Sequence, residues 1–194
     1  MIDVRPLKPL HLGAEVVRRL LPHRPPLLLI DRIDRFSSDP IIVETSKLIS
    51  SSDPVFSGHF PDLWLWPGAY TIEGLAQTCA LAGALVLADA ELAAAGRSVT
   101  GVLTSLQRGL VAGFTAELGE GDAKVLQRAA TAGTGLLAAV DVKLTRPVFA
   151  GEILTFLAAR THVVGPMMRF DVEAAVEGKV AASGTITVAT RSAP

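Results

Sequence analysis

The chain of 194 residues is poor in charged and aromatic side chains, and Cys79 is its single cysteine. One cysteine cannot form a disulfide within the chain, which is typical of proteins in a reducing cytoplasm. The formal net charge is -1, so nothing indicates a general attraction to nucleic acid or to a membrane surface. Hydrophobic residues make up 49% of the sequence, which excludes a disordered chain and predicts one folded domain over 1–194.

Long apolar runs are also lacking. The N-terminal residues 1–6 have no apolar core of the kind found in a signal peptide. The longest uncharged apolar stretch, 78–88, is too short to span a bilayer, and Glu73 and Asp89 flank it. We therefore expect a buried helix in a cytoplasmic protein.

Known short motifs are missing as well. The sequence has no metal-ligand spacing, no phosphate-binding glycine loop and no Gly-x-Ser-x-Gly elbow, so no metal site is expected. Cys79 has no activating partner nearby in sequence, which predicts a buried and inert thiol.

The apolar pattern predicts one long helix and about six strands. A short amphipathic helix is expected over 11–21, and a proline-free run rich in alanine and leucine predicts a long helix from Gly68 to about residue 95. Its apolar residues nearly encircle the axis, so other structure should wrap it. The predicted strands are 27–33 and 41–49, which form a hairpin, followed by 136–144, 153–161, 167–176 and 180–190.

These elements predict an α+β fold in which an antiparallel sheet wraps around one central helix. Such a sheet has an open edge, which pairing across a dimer would cover. Gly178 between the last two strands predicts a tight hairpin. Residues 97–135 are ambiguous, with one further helix expected near 122–131.

The candidate chemistry lies between residues 58 and 77. His59 lies in a Gly-His-Phe-Pro sequence, where the loop fixes the direction of the ring more than the ring fills a core. A histidine ring can be neutral near pH 7 and accept a proton, so His59 is a candidate general base. The alternative is a histidine that only hydrogen-bonds its own loop. His11, His23 and His162 have less support, and His23 is expected to brace its proline-rich turn.

Pro67 and Gly68 are typical of a helix start. Glycine lets a ligand approach the backbone closely, and the first N–H groups of a helix can stabilise a developing oxyanion. An ordinary helix start would give the same dipeptide.

Glu73 is the only acid between Asp62 and Asp89. A carboxylate in an otherwise apolar helix is costly unless it is paired or protonated, and a protonated carboxyl can act as a general acid. Gln77, one turn later, could hold that carboxyl, and Tyr70 shares the same face. The alternative is a solvated glutamate near the helix N-terminus.

Three segments together resemble a known family. Residues 21–32, LPHRPPLLLIDR, resemble the N-terminal signature of the 3-hydroxyacyl-[acyl-carrier-protein] dehydratases, which have the hot-dog fold. Residues 58–77 resemble their catalytic segment, and 145–152 resemble their later strand signature. The resemblance covers most of the chain outside roughly 96–135.

The resemblance implies a dimer with active sites at the subunit interface. His59 of one subunit would face Glu73 of the other, and would take the α-proton of a 3-hydroxyacyl thioester. Glu73 would protonate the departing hydroxyl, directly or through water, while the Gly68 N–H polarises the thioester carbonyl. The products would be a trans-2-enoyl thioester and water, with no cofactor consumed. A glutamate here resembles the plain dehydratase branch rather than the isomerising branch, which has aspartate.

The same resemblance implies contacts for the acyl chain and for its carrier. The residues expected to contact substrate are Phe60, Trp66, Tyr70 and Gln77. The acyl carrier protein is acidic and delivers its chain on phosphopantetheine, so a local basic surface is expected. Its candidates are Arg24, Lys143 and Arg146, whose alternative role is ordinary solvated surface charge.

The sequence also departs from the family. Trp64 and Trp66 replace small residues in the loop before the long helix, where they could narrow the acyl tunnel. A lysine common before the Arg-Pro pair is Thr145 here. The segment 96–135 is an insertion relative to the family, and we expect it to pack over the tunnel mouth or an oligomer face. These features favour a specialised acyl or polyketide substrate.

Two other functions remain open. Hot-dog folds also include acyl-thioesterases, which use a helix carboxylate, although the pairing of His59 with Glu73 favours elimination. A non-catalytic, dehydratase-like acyl-binding subunit is the third possibility.

Overall fold

The computed structural model describes residues 7–115, 117–133 and 135–190. Within these ranges the chain forms four α-helices and six strands. The helices are α1 (Ala14–Leu20), α2 (Gly68–Ala93), α3 (Val99–Gly113) and α4 (Glu120–Gly133). The strands are β1 (Arg32–Ser38), β2 (Ile41–Leu48), β3 (Gly135–Leu144), β4 (Ile153–Val164), β5 (Met167–Val176) and β6 (Lys179–Thr190).

The six strands form one antiparallel sheet in the order β1-β2-β4-β5-β6-β3, and this sheet wraps around α2. The sheet and the helix meet closely. A Cβ atom added to Gly74 would lie 2.4 Å from the Phe156 ring, and the buried hydroxyls of Thr45 and Thr78 lie 2.8 Å apart. The predicted hot-dog architecture is therefore confirmed.

Helix α2 is the central helix expected from the alanine- and leucine-rich run. By length and composition it could cross a membrane, with a mean hydropathy of 1.5, but 67% of its most apolar window is buried inside the protein. Leu75, Leu81 and Leu85 are almost fully buried against the sheet and the other helices. Its apolar character is thus that of a core helix.

The predicted first strand, 27–33, is wrong for most of its length. The strand β1 begins only at Arg32 and continues to Ser38, so the β1–β2 turn falls at Asp39 and Pro40. The apolar residues Leu29 and Ile30 are buried, but they pack toward α2 instead of joining the sheet. Apolar periodicity alone cannot distinguish a buried strand of the sheet from a buried segment outside the sheet.

The C-terminal strands agree closely with their predicted positions. The tight hairpin expected at Gly178 is confirmed: Glu177 and Gly178 have φ values of 51° and 74°, the left-handed conformation that such two-residue turns require.

The segment 96–135 contains a helical pair. Helix α4, predicted near 122–131, packs on α2 so closely that a Cβ on Gly133 would lie 2.6 Å from the Ala84 nitrogen. Helix α3 was not predicted. Its Ser98 side chain caps the Gly101 N–H at 3.2 Å, and Gln107 accepts a 2.8 Å hydrogen bond from the Gly13 N–H beside α1. The pair therefore covers α1 and α2, and its relation to a tunnel mouth or an oligomer face stays a prediction.

The two edges of the sheet differ. Outside β1, Leu12 bridges to Ile33, and the Leu10 N–H donates to the Asp34 carbonyl at 2.8 Å. Among the described residues, β3 pairs only with β6, so its other edge is open. Four apolar side chains of β3 are exposed: Leu136, Leu137, Val140 and Leu144.

Candidate active site

His59 follows a short 3-10 turn, Pro54–Ser57, whose first N–H is capped by the Asp53 carboxyl at 3.1 Å. The Nδ1 atom of His59 lies 2.9 Å from the Leu65 carbonyl oxygen. A carbonyl can only accept, so Nδ1 carries the hydrogen, and whenever the ring is neutral the lone pair is on Nε2. The half-buried ring is therefore oriented and in the tautomer that a general base needs.

The loop between His59 and α2 is fixed by aromatic packing. Phe60 is half exposed and stacks on the His59 ring with centroids 4.2 Å apart. Trp66 is buried, and its ring packs edge-on against Tyr70 at 5.3 Å. Trp64 is 50% exposed, so of the two tryptophans only Trp66 contributes to the core.

Gly68 begins α2, where the first N–H groups have no acceptor within the helix. A cavity of about 360 Å³ opens beside it, and its wall includes Leu65, Trp66, Thr71 and Leu144. A Cβ at position 68 would lie 2.4 Å from the Leu144 Cδ1 atom. A side chain here would require the end of the half-exposed Leu144 side chain to move aside, whereas glycine lets the helix end approach the cavity wall without that shift.

Glu73 points its carboxyl at two other side chains. Its Oε1 atom accepts a 2.8 Å hydrogen bond from Gln77 Nε2, and lies 3.6 Å from His23 Nε2. The Glu73 side chain is 29% exposed, so it is neither fully solvated nor sealed in the core.

Gln77 is buried and holds a neighbouring chain segment as well as Glu73. Its Oε1 accepts from the Leu29 N–H at 2.9 Å, and its Nε2 donates to the Leu27 carbonyl at 2.7 Å. The predicted contact between Gln77 and Glu73 is present, and the clamp on 27–29 was not foreseen. Sequence reasoning also missed the contact of His23 with Glu73, although the proline-rich context of His23 marked a fixed loop.

Within one chain, His59 and Glu73 do not contact each other in the part that the structure describes. The His59 ring is held by Leu65 and Phe60, whereas the Glu73 carboxyl meets Gln77 and His23. The catalytic pair expected from the resemblance is therefore not formed by a single subunit.

The three basic residues expected at a carrier surface differ in their contacts. Arg24 donates to the carbonyls of Leu21 at 2.8 Å and His23 at 2.6 Å, and Arg146 pairs with Glu152 at 2.6 Å. Lys143 is exposed on β3. Arg24 and Arg146 thus have structural bonds of their own, and Lys143 is the more available cation.

Cys79 is fully buried in α2, and burial raises the pKa of its thiol well above the ordinary value. The predicted burial of this thiol is confirmed, and its low reactivity stays a prediction. Over the ranges that the structure covers, no three His, Cys, Asp or Glu side chains are placed to hold a metal ion.

Comparison with known proteins extends these findings. Residues 21–104 match the model of the FabA-like domain. The chain is 50% identical over 80 residues to 3-hydroxyacyl-[acyl-carrier-protein] dehydratase FabZ of Thermotoga neapolitana, a match that covers 41% of this chain but only 55% of that relative. A chain of the dehydratase heterocomplex ApeI:P from Xenorhabdus doucetiae has a TM-score of 0.53 and 19% identity over 91% of both chains, which supports the fold alone.

A longer match decides the family. FabZ of Streptococcus mutans is 32% identical over 173 residues, which cover 89% of this chain and 94% of that relative. Together with the family-model match over 21–104, this match confirms the family resemblance seen in the sequence. The chain therefore belongs to the FabZ family of 3-hydroxyacyl-[acyl-carrier-protein] dehydratases.

Proposed function

We propose that this protein removes water from a 3-hydroxyacyl thioester to give a trans-2-enoyl thioester, in the biosynthesis of fatty acids or related acyl chains. The proposal rests on the geometry of the two candidate side chains in a chain of the FabZ family. The His59 ring is oriented with its Nε2 lone pair available, and Gln77 holds the Glu73 carboxyl in place.

The chemistry needs one base and one acid. His59 Nε2 takes a proton from the carbon next to the thioester carbonyl, and the Gly68 N–H stabilises the negative charge that develops on the carbonyl oxygen. The bond between C3 and the hydroxyl oxygen breaks as Glu73 protonates the leaving oxygen, so water departs. A proton passes from His59 back to Glu73 through solvent, so no cofactor is consumed.

The site requires two copies of the chain. The open edge of β3 and its exposed apolar side chains, including Leu137 and Val140, support antiparallel pairing with β3 of a second subunit. We propose that His59 of one subunit and Glu73 of the other meet in this homodimer, since neither contacts the other within one chain.

The substrate is proposed to arrive on an acyl carrier protein in the cytoplasm. An exposed cation such as Lys143, on the edge strand, suits an acidic partner. Arg24 and Arg146 remain weaker candidates because backbone carbonyls and Glu152 already hold them.

A single assay separates the proposal from the other two functions. The protein is mixed with 3-hydroxyacyl N-acetylcysteamine thioesters of several chain lengths, and enoyl product and released thiol are measured separately. Enoyl product without released thiol supports elimination. Released thiol without enoyl product would identify a thioesterase, and neither product at any chain length would identify an acyl-binding protein.

Two substitutions test the roles proposed for His59 as the base and Glu73 as the acid. His59→Ala and Glu73→Gln should each lower kcat by on the order of 100-fold or more, since general acid and base catalysis contribute that much. Asp171→Asn, on β5, is a matched control that should leave turnover unchanged. Wild-type turnover in either active-site variant would contradict the catalytic assignment.

A further inference from the structure

His23 lies against the carboxyl that the proposed reaction uses as its acid. Its Nε2 atom is 3.6 Å from Glu73 Oε1, and the two side chains are only 26% and 29% exposed. The sequence offered no chemical role for this histidine beyond bracing a turn.

The backbone around His23 is fixed on both sides. The Arg24 guanidinium donates to the carbonyls of Leu21, His23 and, at 3.2 Å, Arg18. Further along the chain, Gln77 fastens Leu27 and Leu29 to α2. The loop therefore presents the His23 ring to α2 in one orientation instead of leaving it to sample several.

The hydrogen bonds also fix the atoms that face each other. Gln77 accepts from one backbone N–H and donates to one backbone carbonyl, so its amide cannot be reversed, and Nε2 is the group that meets Glu73 Oε1. His23 Nδ1 is buried without a partner among the described residues. A hydrogen there would be buried with no acceptor, which favours its placement on Nε2, toward Glu73.

Two donors therefore converge on one carboxyl oxygen. Gln77 and His23 both meet Oε1 of Glu73, and no hydrogen bond or ion pair to Oε2 is found within the described ranges. Gln77 makes a 2.8 Å hydrogen bond to this oxygen, whereas His23 at 3.6 Å makes a longer electrostatic contact on the same side of the carboxyl.

We propose that His23 is a positioning residue for Glu73: together with Gln77 it flanks Oε1 and keeps the carboxyl in one orientation for proton transfer to the departing hydroxyl. This role rests on the proposed function, in which Glu73 is the acid. It predicts that His23 affects turnover more than binding, because a misplaced acid slows the chemical step without removing contacts to the acyl chain.

The test uses the full chain and the N-acetylcysteamine substrate. His23→Phe keeps the ring volume but removes the donor, and His23→Gln keeps an N–H at similar reach. We expect His23→Phe to lower kcat by roughly 10- to 100-fold with KM within about twofold, and His23→Gln to recover most of that loss. His162→Ala, at an exposed position on β4, is the histidine control and should match wild type.

A double variant separates positioning from folding. If His23 acts through Glu73, His23→Phe should cause no further loss in a Glu73→Gln background. Wild-type kcat in His23→Phe, equal losses in the Phe and Gln variants, or losses that multiply in the double variant would each overturn the inference. Full activity of Glu73→Gln alone would instead overturn the proposed function on which it rests.

Discussion

The side-chain oxygen of Gln77 accepts a hydrogen bond from the Leu29 N–H at 2.9 Å, deep in the protein. The same amide donates to the Leu27 carbonyl and to Glu73. One buried side chain thus connects the stability of the 27–29 segment to the position of the candidate acid.

Gln77→Met should therefore damage both properties. The substitution leaves the buried Leu29 N–H without its partner, at a cost of about 1–3 kcal/mol, and also removes the hydrogen bond to the carbonyl of the exposed Leu27. We expect a lower free energy of unfolding in urea and a lower kcat. Gln127→Met, at an exposed position on α4, controls for the side-chain change and should alter neither. Full stability in Gln77→Met would contradict the clamp.

The proposed subunit contact through the open edge of β3 can be tested by placing a charged side chain on that strand. Val140→Arg places a cation on the exposed strand, where it would repel its own copy across an antiparallel pair. We expect sedimentation to show monomers and dehydration to be lost, because the proposed site needs two subunits. Val111→Arg, on the exposed side of α3, should leave both assembly and turnover unchanged. A dimeric and active Val140→Arg protein would place the subunit contact elsewhere.

Gly74 should tolerate no side chain. An added Cβ would lie 2.4 Å from the Phe156 ring, which is itself buried and cannot move aside easily. We expect Gly74→Ala to lower the free energy of unfolding by about 1–3 kcal/mol, measured by denaturant titration. Gly121→Ala has open space around it on α4 and should be neutral or stabilise by up to about 1 kcal/mol. Equal effects of the two substitutions would refute the packing argument.

Cys79 should be unreactive in the folded protein. Because burial raises the pKa of its thiol, the ionised form is favoured only after unfolding. Stability is therefore complete below the ordinary thiol pKa and falls as the pH rises above it, by up to about 1.4 kcal/mol per unit. Thiol reagents should label the protein only in denaturant, and Cys79→Ala should remove this alkaline loss. Rapid labelling of the native protein would contradict the burial.

Much of the fold was predictable because its signals are local. The proline-free run of α2 and the turn at Gly178 each identify an element without knowledge of its neighbours. The true start of β1 was not predictable, because Leu29 and Ile30 are buried in the core outside the sheet, where the Leu29 N–H bonds to the distant Gln77 instead of to a neighbouring strand.

The residues of the candidate site also differ in whether local sequence could identify them. His59, Gly68 and Glu73 could be identified from their sequence neighbours. They lie in a Gly-His-Phe-Pro loop, at a Pro-Gly helix start and in an otherwise apolar helix. His23 did not, because its significance comes from Glu73, which lies 50 positions further along the chain on α2. Such a contact exists only in the folded chain, and it produces no periodic pattern in the sequence.

The unequal sheet edges bear on how far the proposed homodimer could extend. Among the described residues, Leu10 and Leu12 pair with β1 at Ile33 and Asp34, whereas no strand pairs with the outer edge of β3. When a strand pairs with the same strand of a second copy about a two-fold axis, the free edges of both strands become paired at once. In the proposed homodimer, pairing of the two β3 strands would leave no free β3 edge for further chains, which would protect this apolar strand from propagating into fibrils.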